Sequence, residues 1–267
     1  MSSIAIQVSQ PSVNNVFAMY MAEIKYELIK VSRMPSYYIP TLAFPVLFYV
    51  MFGLLLGTRQ SVGSVSLSTY LLATYGAFGV IGASLFGFAV GISSERGYGW
   101  LQVKRASPMP PLAYLLAKAI VCLIFSTMVV LLLLALGIAF GGARMSAVMI
   151  VEFVLTLVAG SLPFCAIGLA IGCFAPPTSA PVIVNAVFLP LSFCSGLWLP
   201  LQILPKIFQH AAPLMPPYHL GQLALRIIGA PSTGSSWQHV SALAAFTIGF
   251  LLLARRGFTR EDVNVSN

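Results

Sequence analysis

Residues able to do chemistry are few in this chain. Six acids stand against 14 lysines and arginines in 267 residues, and aspartate occurs once, at Asp262. Hydrolysing a nucleotide by the P-loop route needs a glycine-rich loop ending in Gly-Lys, and an aspartate to hold magnesium. No Gly-Lys dipeptide exists, so the chain is not expected to hydrolyse ATP. Acid–base or nucleophilic catalysis needs paired carboxylates, or a serine or cysteine beside a base. The only acid inside a long apolar run is Glu152, and no histidine lies deep in the first five runs. His210, His219 and His239 lack metal-ligand spacing and read as interfacial or packing residues. Cys122, Cys165, Cys173 and Cys194 sit inside apolar runs without a C-x-x-C pair, and read as small buried hydrophobes. No enzyme, metal site or bound cofactor is expected. Glu152 has two readings: a substrate pathway or interface residue, or an acid reaching headgroup water near the membrane surface.

The elements that must position these residues are long and apolar. Hydrophobic residues make up 58% of the chain and charged residues 7%, against roughly 25% charged in soluble domains. A soluble fold could not hide that much apolar surface, so the fold class is all-α integral membrane, a single transmembrane domain over 1–267. No charge occurs between Arg33 and Arg59, Arg59 and Glu95, Lys118 and Arg144, Glu152 and Lys206, or Arg226 and Arg255. Each gap holds a span of about 20 residues, and the longest holds two. Pro176-Pro177 divides that one, because adjacent prolines end a helix. Six spans are predicted, near 37–57, 69–92, 112–140, 146–174, 178–199 and 236–255.

The net charge of +8 is spread between apolar runs rather than along one face, which argues against nucleic acid. With the N-terminus inside, Lys25, Lys30, Arg33, Arg96, Lys104, Arg105, Arg255, Arg256 and Arg260 fall on the inner side. Arg59, Arg144, Lys206 and Arg226 fall outside, and Lys118 sits near the inner end of the third span. This bias places both termini in the cytoplasm. Residues 1–15 are polar without a positively charged start, so no cleavable signal is expected.

Three segments are not spans. Residues 16–33 carry Met21, Ile24, Leu28 and Val31 at three- and four-residue spacing, interrupted by Glu23, Lys25, Glu27 and Lys30. That pattern predicts an amphipathic helix along the membrane surface, its polar face toward the cytoplasm or a partner. Residues 93–111 form the main inner loop, too polar to span. Residues 200–230 hold too many prolines for one straight helix and are predicted as a broken re-entrant segment in the outer leaflet. G-x-x-x-G at Gly53/Gly57, Gly87/Gly91, Gly137/Gly141 and Gly168/Gly172 reads as close packing of helices.

Three stretches together resemble the type-2 ABC transporter permease family. Glu27, Arg33 and Pro35 lead into the first span, which contains Pro45. Glu95-Arg96-Gly97-Tyr98-Gly99-Trp100-Leu101, then Ser107-Pro108, then Tyr114 to Lys118, is similar to the family's E-[RK]-x-x-G-x-L, [ST]-P and lysine. Gly196-Leu197-Trp198-Leu199-Pro200, Leu204-Pro205, Pro213, Pro216-Pro217, Leu225-Arg226 and Gly229 resemble its segment between the fifth and sixth spans. Ala117 and Trp100 stand where the family often has glycine and threonine.

The resemblance implies a permease subunit of an ATP-driven exporter in a bacterial inner (plasma) membrane. A second copy would complete a homodimer, and a separate ATP-binding ABC subunit would carry ATP and magnesium. It implies a coupling loop at 93–111, with Glu95, Arg96, Gly97, Gly99, Trp100 and Leu101 contacting that ATPase alongside Glu23 and Glu27 of the surface helix. The first substrate candidate is an amphiphilic drug or lipid-like compound, the second a polysaccharide or glycolipid. The rival class is a stand-alone secondary transporter or channel, which calls for an internal repeat and ion-binding residues near mid-membrane.

Overall fold

Lipid offers backbone groups no hydrogen-bond partner, so each apolar run must close its own bonds, and all of them are helical. The structure, a computed structural model, describes residues 13–57, 60–107 and 109–265, with side chains at all of these except 13–15, 105, 111 and 257–265. Arg59 and Pro108 lie outside the described residues, as do the side chains of Arg105, Arg260 and Asp262. Helix α1 (Val13–Ser32) is followed by α2 (Pro35–Phe48), which runs into a π-helix (Tyr49–Leu56). A two-stranded hairpin (Ser61–Val62, Val65–Ser66) leads to α3 (Leu67–Gly97), α4 (Trp100–Ala106) and α5 (Pro111–Ala139). Then come α6 (Ala147–Ala159), α7 (Leu162–Phe174), α8 (Ala180–Cys194), the short α9 (Lys206–Ala211), α10 (Pro216–Ile227) and α11 (Ser236–Val265).

Five stretches are long and apolar enough to cross a membrane: Pro35–Leu56, Leu67–Gly97, Leu112–Ala139, Ala147–Phe174 and Ser236–Arg256, with Ala180–Cys194 shorter. The all-α membrane architecture is as the composition dictates. The fourth span falls where expected, and it is broken at Gly160-Ser161 between α6 and α7. Pro163, at the start of α7, has no N–H to continue the ladder of α6 and follows Gly160 and Ser161, which favours a break there. The fifth run stops at Cys194 rather than near 199. Gly196 adopts φ 76°, and Leu197 N–H reaches back to Ser192 O at 3.1 Å, a helix stop that glycine favours.

Helix α3 is the central post. Its most apolar stretch is 72% buried, against 17% for the first and last spans, and it packs on α2, α5, α7, α8 and α10. The open faces of α2 and α11 point to lipid or to a partner. Helix α7 packs closely on α3. A Cβ on Gly168 would stand 2.9 Å from Phe88 Cβ and 3.0 Å from Leu85 O, and one on Gly172 would stand 3.0 Å from Ile92 Cβ. This pair therefore packs within the chain, as small residues four apart allow. Replacing Gly168 by Val should cost about 1–3 kcal/mol through overpacking, seen as a lower melting temperature in detergent. Gly249, which faces open space, is the control whose change to Ala should have no effect.

Candidate functional site

The end of the bundle that holds Gly97 is organised around Lys118. This lysine sits on the second turn of α5 and is 2% exposed. An ammonium there needs counter-charges. It donates to Glu27 Oε1 at 2.8 Å and to Glu95 Oε1 at 3.1 Å. Lys30 donates to Glu27 Oε2 at 2.6 Å and also to Glu95 Oε1. Tyr114, one turn before Lys118, donates to Glu95 Oε2 at 2.6 Å. Two carboxylates and two ammonium groups thus form a neutral knot that ties α1, α3 and α5 together. A second pair, Lys104 Nζ to Glu23 Oε1 at 2.5 Å, ties α4 to α1. Lys104 and Lys118 lie 4.6 Å and 5.0 Å from the centre of the Tyr114 ring, within cation–π reach.

Helix α1 packs against the bundle through part of its charged side. Glu27 and Val31 face the bundle and are buried, while Met21 is exposed. Leu28 packs beside Val31, Val121 and Phe125. The reason is Lys118: a buried ammonium on α5 draws the acidic line of α1 inward. Burial pushes the Glu27 carboxyl up, but Lys118 and Lys30 outweigh it and hold the group below its ordinary 4.5. A carboxyl depressed on folding lends stability above its unfolded value, and that stability is lost as pH falls through the folded value. The melting temperature should fall as pH drops below about 4.5, and Glu27→Gln should flatten that acid limb. An unchanged limb in the variant would remove Glu27 from the account.

Arg96 points the other way. Its guanidinium donates to Cys173 O and, at 2.6 Å, to Ala175 O. Ser93 Oγ donates to the same Ala175 O at 2.8 Å. These carbonyls end α7, where a cation also meets the negative end of the helix dipole. Gly97 stacks against Pro177 in the next loop. The α3 terminus thus joins the α7–α8 turn to the knot.

The sequence candidates separate into two groups. Glu27 and Glu95 are buried and ion-paired inside the chain, Glu23 is paired to Lys104, and Leu101 packs inward with Phe88, Ile92 and Tyr114. The Glu95 carboxylate is thus engaged by Lys30, Lys118 and Tyr114 rather than presented at the surface. Gly97 is exposed and Gly99 half-buried at a φ of 75°. Trp100 is 59% exposed. Beside it stand Tyr98 at 79% and Val103 at 62%, two residues the sequence reading did not single out. Short α4 is therefore amphipathic, with Leu101 inside and Trp100 and Val103 outside, and Tyr98 in the turn before it extends this exposed apolar ridge. Such a ridge on a charged end is unlike scattered surface apolars. Glu152, on α6, is exposed on the side of the bundle and takes no part in this cluster. Lys30, Lys118, Tyr114 and Lys104 were missed; the readable signal was that a lysine inside a span must be matched by acids.

The sequence matches the family model described as ABC-2 type transporter over residues 19–228. It is also similar to a Bacillus subtilis (strain 168) protein named "Putative transport permease YvfS", 26% identical over 231 residues, 86% of this chain and 92% of the relative. The matched stretch runs from α1 through the ionic knot to α10, more than three quarters of the chain. On that coverage the chain belongs to the ABC-2 type transporter family and is a membrane permease component of an ABC transporter.

Proposed function

We propose that this permease exports its substrate with ATP hydrolysed on a separate ATP-binding ABC subunit, which docks on the exposed ridge of α4. The observation that carries this reading is the apolar ridge Tyr98, Trp100 and Val103 standing on helices fused by buried ion pairs. Force applied to α4 would pass through Lys104–Glu23 to α1, and through Leu101 and Tyr114 to α3 and α5. Glu95 and Glu27 act as positioning residues beneath the contact, while Trp100 meets the partner. In this reading the ridge faces the cytoplasm, both termini lie there, and the membrane is a bacterial inner membrane. The open faces of the first and last spans suit a second copy, giving a homodimer.

The substrate candidate is an amphiphilic drug or lipid-like compound. Phe44, Phe48 and Phe52 stack in file along the first span, centroids 6.3 and 6.0 Å apart, and Phe48 lies 5.1 Å from Trp198. Such a file offers rings and apolar surface, which suit an amphiphile. The test is purification of the tagged protein from gently solubilised native membranes, with identification of co-purifying chains and an ATP hydrolysis assay. A stoichiometric P-loop ATPase stimulated by an amphiphile is the expected result. A stable complex without ATPase activity would return the chain to the secondary transporter class.

A further inference from the structure

At the opposite end of the bundle, beside the start of α3, two histidines face each other. His219 lies on the first turn of α10 and His239 on the first turn of α11. They are 8% and 4% exposed. Their Nδ1 atoms are 2.9 Å apart. Each ring also uses its other nitrogen: His219 Nε2 lies 3.0 Å from Pro213 O, and His239 Nε2 lies 2.7 Å from Thr233 O.

Counting protons decides the charge of this pair. A carbonyl oxygen only accepts, so both Nε2 atoms must carry hydrogen. A neutral imidazole has one N–H, and spending it at Nε2 leaves Nδ1 a bare lone pair. Two neutral rings would then aim lone pairs at each other across 2.9 Å. Three contacts need three protons, and two neutral rings own two. The separation also discriminates against a metal. Ligand bonds of about 2.0–2.1 Å at a tetrahedral angle would spread two nitrogens to roughly 3.3 Å, whereas 2.9 Å is an ordinary N–H hydrogen-bond length. Among the described residues no group of three or more potential metal ligands exists.

We propose that His219 and His239 form a one-proton site, an imidazole–imidazolium pair that latches α10 to the start of the last span. The proton is the ligand, held between the two Nδ1 atoms. Removing it at alkaline pH sets the lone pairs in opposition. Adding a second proton puts two cations in contact and breaks the central bond. Burial first, and then the neighbouring His239, hold the His219 imidazole below its ordinary 6.5. A base depressed on folding lends stability above its unfolded value and loses it as pH falls below that value.

Among the described residues no acid pairs with either histidine. On α10, Tyr218 sets its ring edge-on, 5.4 Å from His219 and 5.9 Å from His239, and its hydroxyl bonds Thr233 Oγ1. Arg226, two turns on, is held by Ser236 and Gly234 O. On α3, which packs against α10, the nearest titratable group is Tyr70; on α6 it is Glu152, which is exposed. On α8 only Cys194 titrates, and on α11 Arg256 lies at the far end of a 790 Å³ groove that His219 also borders.

The sequence holds three histidines, so His210→Asn, at an exposed site, leaves only the pair. Nitrogen-15 spectra of histidine-labelled protein in lipid nanodiscs would count protons directly. Near pH 7.5 the two rings should carry three N–H groups between them, with a scalar coupling across Nδ1–Nδ1. Two N–H groups in total, or two rings titrating independently near 6.5, would overturn the proposal. A second measurement needs no spectrum. The melting temperature of the parent should fall on both sides of a plateau, and His239→Gln, which supplies a neutral donor and acceptor, should lose that two-sided shape while remaining folded. A two-sided profile that persists in His239→Gln would equally overturn it.

Discussion

Replacing Lys118 by Met should destabilise the protein by about 3–5 kcal/mol, because two buried carboxylates lose the counter-charge they share. For a chain of this size that corresponds to a fall of about 6–20 °C in melting temperature. Glu27 and Glu95 would keep Lys30, but one partly exposed ammonium cannot neutralise two carboxylates. The triple variant Lys118→Met, Glu27→Gln, Glu95→Gln should recover part of the loss, since an uncharged buried cluster escapes the desolvation cost that ions incur. Thermal unfolding in detergent, followed by loss of monodisperse protein, measures both. A Lys118→Met variant melting within about 1 °C of the parent would show that the knot contributes little, since even 1 kcal/mol moves the midpoint further than that.

Trp100→Ala combined with Val103→Asp should separate docking from folding. Both side chains are mostly exposed in the chain alone, so the melting temperature should stay within about 2 °C of the parent, as is usual for surface changes. An aromatic anchor at the centre of an interface is worth about 2 kcal/mol or more, so the partner ATPase should bind at least about 30-fold more weakly, and the added aspartate opposes it further. Co-purification and substrate-stimulated ATP hydrolysis read this loss. The reciprocal pattern, an intact complex with a lowered melting temperature, would mean that α4 packs into the permease itself and that docking lies elsewhere. Together the two variants distinguish the transmitter from the surface that drives it.

Much of the architecture was legible because charges are so scarce. The gaps between Arg33 and Arg59, or between Lys118 and Arg144, delimit helices in lipid, and Pro176-Pro177 marks where the chain turns between α7 and α8. The α6–α7 break was equally written in Gly160, Ser161 and Pro163, but the apolar run around them hides it from a hydropathy reading. The ionic knot was legible only in part. Glu27 and Glu95 stood out through the family resemblance and were read as facing a partner. Their burial follows from Lys118, whose place near the inner end of the third span and in the family motif does not by itself show which acids meet it. The histidine pair carries no local signal. His219 and His239 are 20 residues apart and meet because the chain reverses through Gly229 and Gly234, and reversals of that kind do not show in a spacing rule.

The first span carries eight residues of π-helix after Pro40 and Pro45. A π turn closes each ring one residue later than an α turn. Converting it to α moves every residue on one side by a single register step, about 100° of rotation and 1.5 Å of rise. Phe44 and Phe48 precede this segment and Phe52 lies within it. The π turns therefore set the angular offset between the two halves of the span, an offset that a uniform α-helix would not give.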